Sequence, residues 1–196
     1  MKIISPQSML DKTKIYIVDF EDSFTFNIAS ELYLYEKDLQ VVSHHVFFSP
    51  DNFSLFLRKI NTPTAVILGP GPGNPEEYRY YFSSINEIKK NKFIFLMGIC
   101  LGHQLLALMD GLIVRTSLKP GHGVQVKINF DDKNMLVQRY NSLAVFESVK
   151  SLKEVQVRQW KRGISYQFHP ESIGTEHRAL FFADLLKFLG TQALTP

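Results

Sequence analysis

The sequence predicts one α/β domain built on a mostly parallel sheet flanked by helices, with a strand-rich C-terminal half. Three observations support this fold class. The first half alternates short apolar runs with amphipathic stretches, which is the rhythm of β-α-β units and of a parallel sheet. The second half carries closely spaced strand-like runs instead. The 196 residues, 45% of them hydrophobic, are enough for one well-filled core.

The elements of the first half follow from the spacing of apolar residues. Short apolar runs predict strands, and apolar residues three or four apart predict helices, as Phe53, Phe56, Leu57 and Ile60 illustrate. In chain order we expect strands over 14–19, 40–46, 64–68 and 92–97, and helices over 24–36, 52–60, 83–90 and 101–109.

The second half is predicted to be mainly strand and to end in one helix. The strands are expected over 112–116, 123–129, 143–149, 154–159 and 163–168. An amphipathic helix over 176–189 follows, with Leu180, Ala183, Leu186 and Leu189 along one side. We therefore place one domain at 14–190, a loosely ordered N-terminal extension at 1–13 and a C-terminal tail at 191–196.

Charge and cysteine content narrow the class of protein. The net charge of +3 favours neither a nucleic-acid partner nor a membrane surface. The N-terminus lacks an apolar signal stretch, and no apolar run approaches the roughly 20 residues that span a bilayer. One cysteine excludes an internal disulfide, so a reducing cytoplasm is the expected compartment.

That cysteine, Cys100, stands in the segment Met-Gly-Ile-Cys-Leu-Gly-His-Gln over 97–104. A buried strand before it and a helix after it predict a nucleophile elbow, the sharp turn that exposes a reactive side chain. The helix N-terminus favours a thiolate and offers N–H groups to an oxyanion. A lone cysteine is commonly a small apolar core residue. The glycines on both sides of Cys100 favour the nucleophile.

A proline-rich loop follows the predicted strand over 64–68. Its sequence, Gly-Pro-Gly-Pro-Gly-Asn-Pro over 69–75, contains three prolines that fix φ and lack an N–H. The free backbone donors that remain are those of Gly71, Gly73 and Asn74. Such loops are often plain strand-to-helix turns, but beside Cys100 this one can supply the second N–H of an oxyanion hole.

The third motif is His169-Pro170-Glu171, at the end of an extended segment. Side chains two residues apart on such a segment project to the same side, so Glu171 can orient His169 and stabilise its imidazolium. The alternative is a surface His–Glu pair that contributes little stability. Together with Cys100, the motif predicts a Cys-His-Glu constellation.

The remaining histidines and the basic segment receive structural interpretations. His44 and His45 are expected on a strand without a partner, His103 inside the elbow helix and His177 at the start of the last helix. His122, between two glycines, can be a loop residue or can line the site, and the loop is favoured. Because no two of these histidines have ligand spacing with a third ligand, we expect no protein-bound metal. We also expect no cofactor in this chain. The basic segment over 150–162, which contains Trp160, is interpreted as solvated strand faces rather than a nucleic-acid surface.

These motifs together resemble the class I, or triad, glutamine amidotransferases. The resemblance rests on the segments at 69–75, 98–104 and 167–172, which occur in the same order as in the family. It covers about residues 14–189. The segment Asp-Ser-Phe-Thr over 22–25 narrows it to amidotransferase subunits of anthranilate synthase and of aminodeoxychorismate synthase.

The resemblance implies a doubly wound α/β fold and hydrolysis of L-glutamine to glutamate and ammonia. It makes Cys100 the nucleophile, His169 the general base and then acid, and Glu171 its orienting partner. The implied oxyanion hole is formed by the N–H groups of Gly71 and Leu101. The implied glutamine contacts are Gln104 and the backbone around Ser142 and Leu143. The implied partner is a chorismate-utilising synthase subunit that receives the ammonia.

Two residues depart from the family pattern. Asn141 stands in Arg-Tyr-Asn-Ser-Leu, where the family has a histidine, and an amide cannot take a proton charge. Phe20 follows Asp19 where an asparagine is usual, near the expected partner surface. Neither departure touches the triad.

Two alternatives to a glutaminase subunit remain open on the sequence alone. One is a regulatory or binding subunit of the same fold with little turnover, and the intact Cys100, His169 and Glu171 argue against it. The other is a stand-alone γ-glutamyl hydrolase, which the segment at 22–25 disfavours.

Overall fold

A computed structural model of the protein describes residues 14–190. The expected N-terminal extension at 1–13 and the expected tail at 191–196 lie outside the described residues. Among residues 14–190, no helix has the length and the apolarity that a bilayer crossing requires.

The elements alternate between strand and helix up to the middle of the chain and are mainly strands afterwards. The strands are β1 Ile15–Asp19, β2 Leu39–Ser43, β3 Thr64–Leu68, β4 Ile94–Ile99, β5 Ile113–Phe130, β6 Lys133–Phe146, β7 Val157–Trp160 and β8 Gly163–Tyr166. The helices are α1 Thr25–Tyr33, α2 His44–Phe47, α3 Pro50–Lys59, α4 Phe82–Lys90, α5 Leu101–Met109 and α6 Arg178–Leu189. A 3₁₀ helix at Pro75–Tyr81 precedes α4.

Six strands form one sheet in the order β2-β1-β3-β4-β8-β7. All neighbours pair in parallel except β7 and β8, which are antiparallel, and β5 and β6 form a separate antiparallel hairpin. The predicted fold class is confirmed. Because β1, β3 and β4 are parallel neighbours, the segments that follow their carboxyl ends meet at one edge of the sheet.

Each central strand contributes to two cores, because its side chains alternate between the faces of the sheet. Ile15 and Ile17 of β1 belong to the core packed against α1 and α6. Tyr16 and Val18 of the same strand belong to the core packed against α3, α4 and α5. The sheet is thus covered by helices on both faces, which explains why β3 and β4 are fully buried.

The expected strand over 40–46 is too long. β2 ends at Ser43, and His44 and His45 begin the short helix α2. The side chain of His44 is buried, and its Nδ1 atom lies 2.9 Å from the hydroxyl of Tyr81. A polar bond from a distant residue thus fixes the turn at the end of β2, and local apolar spacing does not reveal it.

The strands of the second half also differ from expectation in their extent. The runs predicted over 112–116 and 123–129 are parts of one long strand, β5, which pairs with β6 across an irregular register. The expected strand over 143–149 is the end of β6, which begins ten residues earlier. Helix α6 begins at Arg178 rather than at 176, because Glu176 binds the backbone of Leu136 through both its N–H and its carboxylate.

Candidate active site

Cys100 occupies the turn between β4 and α5 and adopts φ 52° and ψ −101°. Such a positive φ is uncommon for a residue with a side chain and marks a strained turn. The N–H of Cys100 donates to the carbonyl of Tyr166 in β8, at 2.8 Å, which holds the turn against the sheet. The strand, turn and helix form the predicted elbow geometry.

Gly102 explains why the elbow sequence carries a glycine two residues after the cysteine. A Cβ at this position would lie 2.2 Å from the carbonyl oxygen of Leu68 in β3. Only a residue without a side chain lets the first turn of α5 approach the sheet this closely. The close approach places the N-terminus of α5 directly beside the loop that follows β3.

His169 and Glu171 lie together beside the elbow. His169 Nδ1 donates to Glu171 Oε1 at 2.7 Å, and both side chains are almost completely buried. The backbone of His169 is fixed separately, because its N–H donates to Gln138 and its carbonyl accepts from the Thr175 hydroxyl. The predicted spacing of the His-Pro-Glu segment therefore produces the expected pair.

The pKa of His169 is raised well above its usual value. Burial by itself lowers this pKa, but hydrogen bonding and charge interaction with Cys100 and with Glu171 outweigh it. His169 Nε2 and Glu171 Oε2 are buried polar atoms without a conventional hydrogen-bond partner. Buried unpartnered atoms are rare in folded proteins and concentrate at sites that await a ligand or a reaction.

Two aromatic rings that sequence spacing does not indicate enclose His169. The rings of Phe24 and Tyr140 lie 4.6 Å apart, and each has its centroid 5.1 Å from the imidazole of His169. Phe24 belongs to the segment at 22–25 and Tyr140 to the Arg-Tyr-Asn-Ser-Leu segment, but nothing in either segment predicts that they meet. Their contacts contribute to the almost complete burial of the imidazole.

The proline-rich loop lies against the elbow, as expected, through Gly71. A Cβ on Gly71 would lie 2.5 Å from Leu101 Cδ2 and 2.6 Å from Phe20 Cβ. The N–H groups of Gly71 and Leu101 are thus on neighbouring segments, and a first-turn N–H such as that of Leu101 has no acceptor within its own helix. The expectation that Asn74 is a free donor is wrong, because its N–H binds Glu77 Oε1 in a capping box.

The expected glutamine contacts, Gln104, Ser142 and Leu143, line the same cavity as Cys100. Gln104 Nε2 donates to the Leu143 carbonyl at 2.9 Å and to Gln167 Oε1 at 3.3 Å, and Gln167 Nε2 lies 3.9 Å from Cys100 Sγ. The pairing of β5 with β6 skips Ser142, since Thr116 pairs with Leu143 and Gly121 pairs with Asn141. The backbone of Ser142 is therefore outside the ladder at a bulge beside the cavity.

Asn141 is buried and uses both ends of its amide. Its Oδ1 accepts from Arg139 Nε at 2.9 Å, and its Nδ2 donates to the Leu143 carbonyl at 2.8 Å. Arg139 in turn forms a buried ion pair with Glu154. A neutral imidazole also offers one donor and one acceptor, so Asn141 can supply the hydrogen bonds of an uncharged histidine.

Phe20 is fully buried, so its side chain forms no part of the protein surface. Its ring stacks on His44 with centroids 5.0 Å apart and meets the Tyr78 ring edge-on. The turn that follows is held by Asp19 Oδ1, which accepts from the N–H groups of Glu21 and Asp22 and from the Thr25 hydroxyl.

Of the other histidines, His103 is structural, whereas His44, His45 and His122 differ from expectation. His103 is completely buried between the Ser165 hydroxyl and the Val155 carbonyl, and burial lowers its pKa to about 3. His122 is in strand β5 and lines the cavity, where its Nε2 lies 3.1 Å from Ser142 Oγ. The favoured assignment to a loop is therefore wrong, and the alternative that His122 lines the site is confirmed. His44 and His45 lie near Glu21, which contradicts the expectation that no third ligand group accompanies two histidines.

These segments line one cavity of about 340 Å³ that is open to solvent. Its walls come from the turn after β1, the proline-rich loop, the elbow, the β5–β6 hairpin and His169. The lining residues are Asp22, Phe24, Gly71, Pro72, Gly73, Cys100, Gln104, His122, Tyr140, Asn141, Ser142, Leu143 and His169. A thiol, an imidazole held by a carboxylate and nearby backbone donors in one cavity can carry out acyl transfer.

The family model for class I glutamine amidotransferases matches residues 16–188. Anthranilate synthase component 2 of Thermococcus kodakarensis is 34% identical over 181 residues, which cover 83% of this chain and 89% of that protein. Anthranilate synthase component 2 of Helicobacter pylori is 31% identical over 185 residues, which cover 85% of this chain and 93% of that protein.

Solved structures agree with the fold. A putative GMP synthase subunit from Thermoplasma acidophilum superimposes with a TM-score of 0.69 at 20% identity, covering 92% of this chain and 95% of that one. The family model extends over nearly all of the described domain and includes the elbow, the proline-rich loop and the His-Pro-Glu segment. The chain belongs to the class I glutamine amidotransferases.

Proposed function

We propose that the protein is a glutaminase subunit that hydrolyses L-glutamine to glutamate and ammonia and passes the ammonia to a chorismate-utilising synthase subunit. The observation that carries the proposal is the buried juxtaposition of Cys100, His169 and Glu171 in one cavity. The products of the synthase would be anthranilate or 4-amino-4-deoxychorismate. The names of the curated relatives favour anthranilate.

In the proposed reaction His169 takes the thiol proton of Cys100, and the Sγ thiolate attacks the side-chain amide carbon of glutamine. The oxygen of the tetrahedral intermediate accepts hydrogen bonds from the N–H groups of Gly71 and Leu101. His169, kept protonated by its raised pKa, gives its proton to the departing nitrogen, and ammonia leaves. The remaining γ-glutamyl thioester is attacked by water, whose proton His169 accepts, and glutamate is released. No step of this reaction requires a cofactor bound to the chain.

Glu171 has an orienting role in this scheme. Its bond to Nδ1 directs Nε2 towards the thiol and stabilises the imidazolium form. Phe24 and Tyr140 exclude water from the imidazole, which strengthens both interactions.

The α-amino and α-carboxylate groups of glutamine are assigned to the wall formed by Gln104 and the Ser142–Leu143 backbone. The Leu143 carbonyl already accepts from Gln104 and Asn141, which fixes the position of this wall. The Ser142 backbone, which the strand pairing leaves out, is the part that remains for the substrate.

The partner assignment follows from chemistry and from the surface around the cavity. Free ammonia is mostly protonated and non-nucleophilic at neutral pH, so a sheltered transfer to a bound acceptor preserves it. Phe26, two residues after Phe24, is 65% exposed, and Ile173, two residues after Glu171, is 95% exposed. Large apolar side chains left in solvent beside a cavity favour a protein partner there. The unpaired Cys100 thiol fits a reducing compartment, so we place the complex in the cytoplasm.

Substitution of Cys100 by serine tests the proposal. Cys100→Ser should abolish glutamine-dependent synthesis by the assembled complex and leave synthesis from added ammonium salt unchanged. A glutamine-like diazo-ketone should label Cys100 of the unmodified protein, as peptide mass mapping would show. Loss of both activities in a folded complex, or labelling at another residue, would overturn the assignment. Unchanged glutamine-dependent synthesis in Cys100→Ser would also overturn it, whereas no glutamine-dependent synthesis by the wild-type complex would favour the alternative of a binding subunit without turnover.

A further inference from the structure

A second cluster of chemically active side chains lies outside the cavity, at the carboxyl ends of β1 and β2. These strands pair in parallel with Asp19 opposite Ser43. Glu21 follows β1 by two residues, and His44 and His45 directly follow β2. Each of these three residues offers one ligand atom, and the three atoms all lie within 4.8 Å of one another. The sheet topology therefore joins groups that are more than twenty residues apart in sequence.

His44 is held rigidly in this cluster. Its ring is 4% exposed, stacks on Phe20 with an interplanar angle of 10°, and binds the Tyr81 hydroxyl through Nδ1 at 2.9 Å. With Nδ1 engaged, Nε2 is the nitrogen left for a ligand. Metal-binding histidines are commonly fixed in this way, by a hydrogen bond at the ring nitrogen that does not touch the metal.

Glu21 is presented by a strained turn. It has φ 67°, and its N–H donates to Asp19 Oδ1 at 2.9 Å. A non-glycine residue at such a φ costs on the order of 1–3 kcal/mol, and such strain is concentrated at functional sites. The side chains of Glu21 and His45 are exposed, so both can move to complete a coordination sphere around the fixed His44.

We propose that Glu21, His44 and His45 form a zinc site with a water molecule as the fourth ligand. Two imidazoles and one carboxylate are an established donor set for Zn²⁺, whereas Mg²⁺ and Ca²⁺ prefer oxygen ligands alone. Zn–N distances of about 2.1 Å place tetrahedral ligand atoms about 3.4 Å apart. Rotation of the two exposed side chains closes the remaining distance without moving His44.

The site is joined to the cavity wall through two of its neighbours. Asp22, which follows Glu21, lines the cavity, and Phe20 lies between His44 and Gly71. A metal bridging Glu21 to α2 would tie the turn after β1 to the end of β2. The bound metal should therefore raise the thermal stability of the protein.

The experiment is a zinc titration by calorimetry of the untagged full-length chain carrying Cys100→Ser. That change removes the thiol, which would itself bind Zn²⁺. We expect one equivalent of Zn²⁺ and a higher melting temperature in its presence. Co²⁺ should give the visible spectrum of a four-coordinate site without sulfur charge transfer. In the same background, Glu21→Gln and His45→Gln should each weaken binding at least tenfold, and Tyr81→Phe should weaken it about tenfold.

The matched control is His177→Asn. His177 is also exposed, lies outside the cluster and has φ 52°, which asparagine accepts. Its substitution should leave zinc affinity unchanged. The proposal is overturned if the Cys100→Ser protein binds no zinc, or if Glu21→Gln and His45→Gln both leave the affinity unchanged. Equal weakening by His177→Asn would show adventitious binding at surface histidines only. Because Glu21 and His45 are exposed, their substitution does not remove core packing, and circular dichroism will verify the fold of each variant.

Discussion

The backbone of Cys100 is strained at the turn between β4 and α5, which is also the turn that presents its thiol. At φ 52° and ψ −101°, the turn costs on the order of 1–3 kcal/mol and persists because the structure around it is over-determined. The bond from its N–H to Tyr166 and the packing of α5 on β3 supply that constraint. A cysteine with only a packing role would not need this conformation, so the strain supports a chemical role.

Substitutions at His169 and Glu171 are expected to differ in size and in kind. His169→Ala removes the proton carrier and should lower kcat about 10³-fold. Glu171→Gln keeps the shape but removes the charge that raises the His169 pKa, so we expect a loss of about 10- to 100-fold. It should also move the upper pH limit of activity to lower pH, since the imidazolium then loses its proton earlier. Glutamate release measured between pH 6 and 10 gives both quantities.

The control for these two variants is Glu87→Gln, an exposed residue of α4 with the same change of charge. It should leave both kcat and the pH profile unchanged. Near-normal turnover in His169→Ala would exclude this residue as the base. An unchanged upper pH limit in Glu171→Gln would show that the carboxylate acts only through packing.

His103 makes the stability of the fold sensitive to acid. Burial lowers its pKa to about 3, and its Nε2–H donates to the Val155 carbonyl in the neutral form. The unfolded chain protonates this residue near pH 6.5, so the folded state loses stability as pH falls from 6.5 towards 3. The loss should approach roughly 1.4 kcal/mol per pH unit well below pH 6.5.

Urea unfolding of the wild type and of His103→Gln at pH 7, 6 and 5 measures this effect. The variant is less stable throughout, but its free energy of unfolding should fall less steeply with acid than that of the wild type. His177→Gln, which changes an exposed histidine, should keep the wild-type slope. Equal slopes for the wild type and His103→Gln would contradict the assignment of a buried neutral imidazole.

At the scale of elements, the loop over 69–75 determines the position of the Gly71 N–H relative to the elbow. A methyl group on Gly71 would overlap Leu101 Cδ2 and Phe20 Cβ, so Gly71→Ala must displace the loop from the elbow. Loss of one oxyanion donor typically lowers kcat by about 10²–10³-fold, and we expect a decrease of this size with a small change in KM. Steady-state glutamate release in the assembled complex measures it.

The comparison variant is Gly111→Asn, at the end of α5. Gly111 has φ 80° with open space around it, and asparagine tolerates that conformation. This variant should keep normal kcat. If Gly71→Ala also kept it, the Gly71 N–H would not be an oxyanion donor.

Local patterns predict an element best where neighbouring residues alone determine it. The strand over 64–68 and the helix over 101–109 were predicted with the bounds that the structure shows, because apolar runs and the elbow glycines define both ends. The end of β2 was missed because the Tyr81 hydroxyl, 37 residues away from His44, binds the side chain that begins α2. The sequence predicts separate strands in place of the long hairpin, because the register shifts in β5 interrupt the alternation of apolar and polar residues.

At the scale of the whole molecule, the sheet explains which parts of the site the sequence could predict. Cys100 and the His169–Glu171 pair stand in compact motifs, and their chemistry indicates a site before any folding is known. Phe24 and Tyr140 contact His169 only because the turn after β1 and the hairpin converge on it. The cluster of Glu21, His44 and His45 has the same origin, since parallel pairing of β1 and β2 creates it. Sequence spacing carries no signal for groups assembled in this way.

The proposed partner should control the activity of the whole protein. The isolated chain should be a weak glutaminase, and its synthase subunit with chorismate should increase glutamate release, because an unpartnered chain would waste glutamine. The cavity lining includes the turn after β1 and the β5–β6 hairpin, and the exposed Phe26 and Ile173 lie within two residues of Phe24 and Glu171. A partner docked on these side chains can therefore reposition the walls of the cavity.

Glutamate release by the chain alone, with the synthase subunit, and with the subunit plus chorismate measures this coupling at saturating glutamine. Ile173→Asp should weaken the stimulation at least tenfold, because an exposed apolar contact is replaced by a charge that a dry interface would bury. Leu152→Asp is the matched control, since Leu152 is 83% exposed in the segment before β7 and, unlike Ile173, has no triad residue within two positions in sequence. Equal rates in all three mixtures would exclude partner control and leave a simple hydrolase. Equal weakening by Ile173→Asp and Leu152→Asp would move the docking surface away from the cavity mouth.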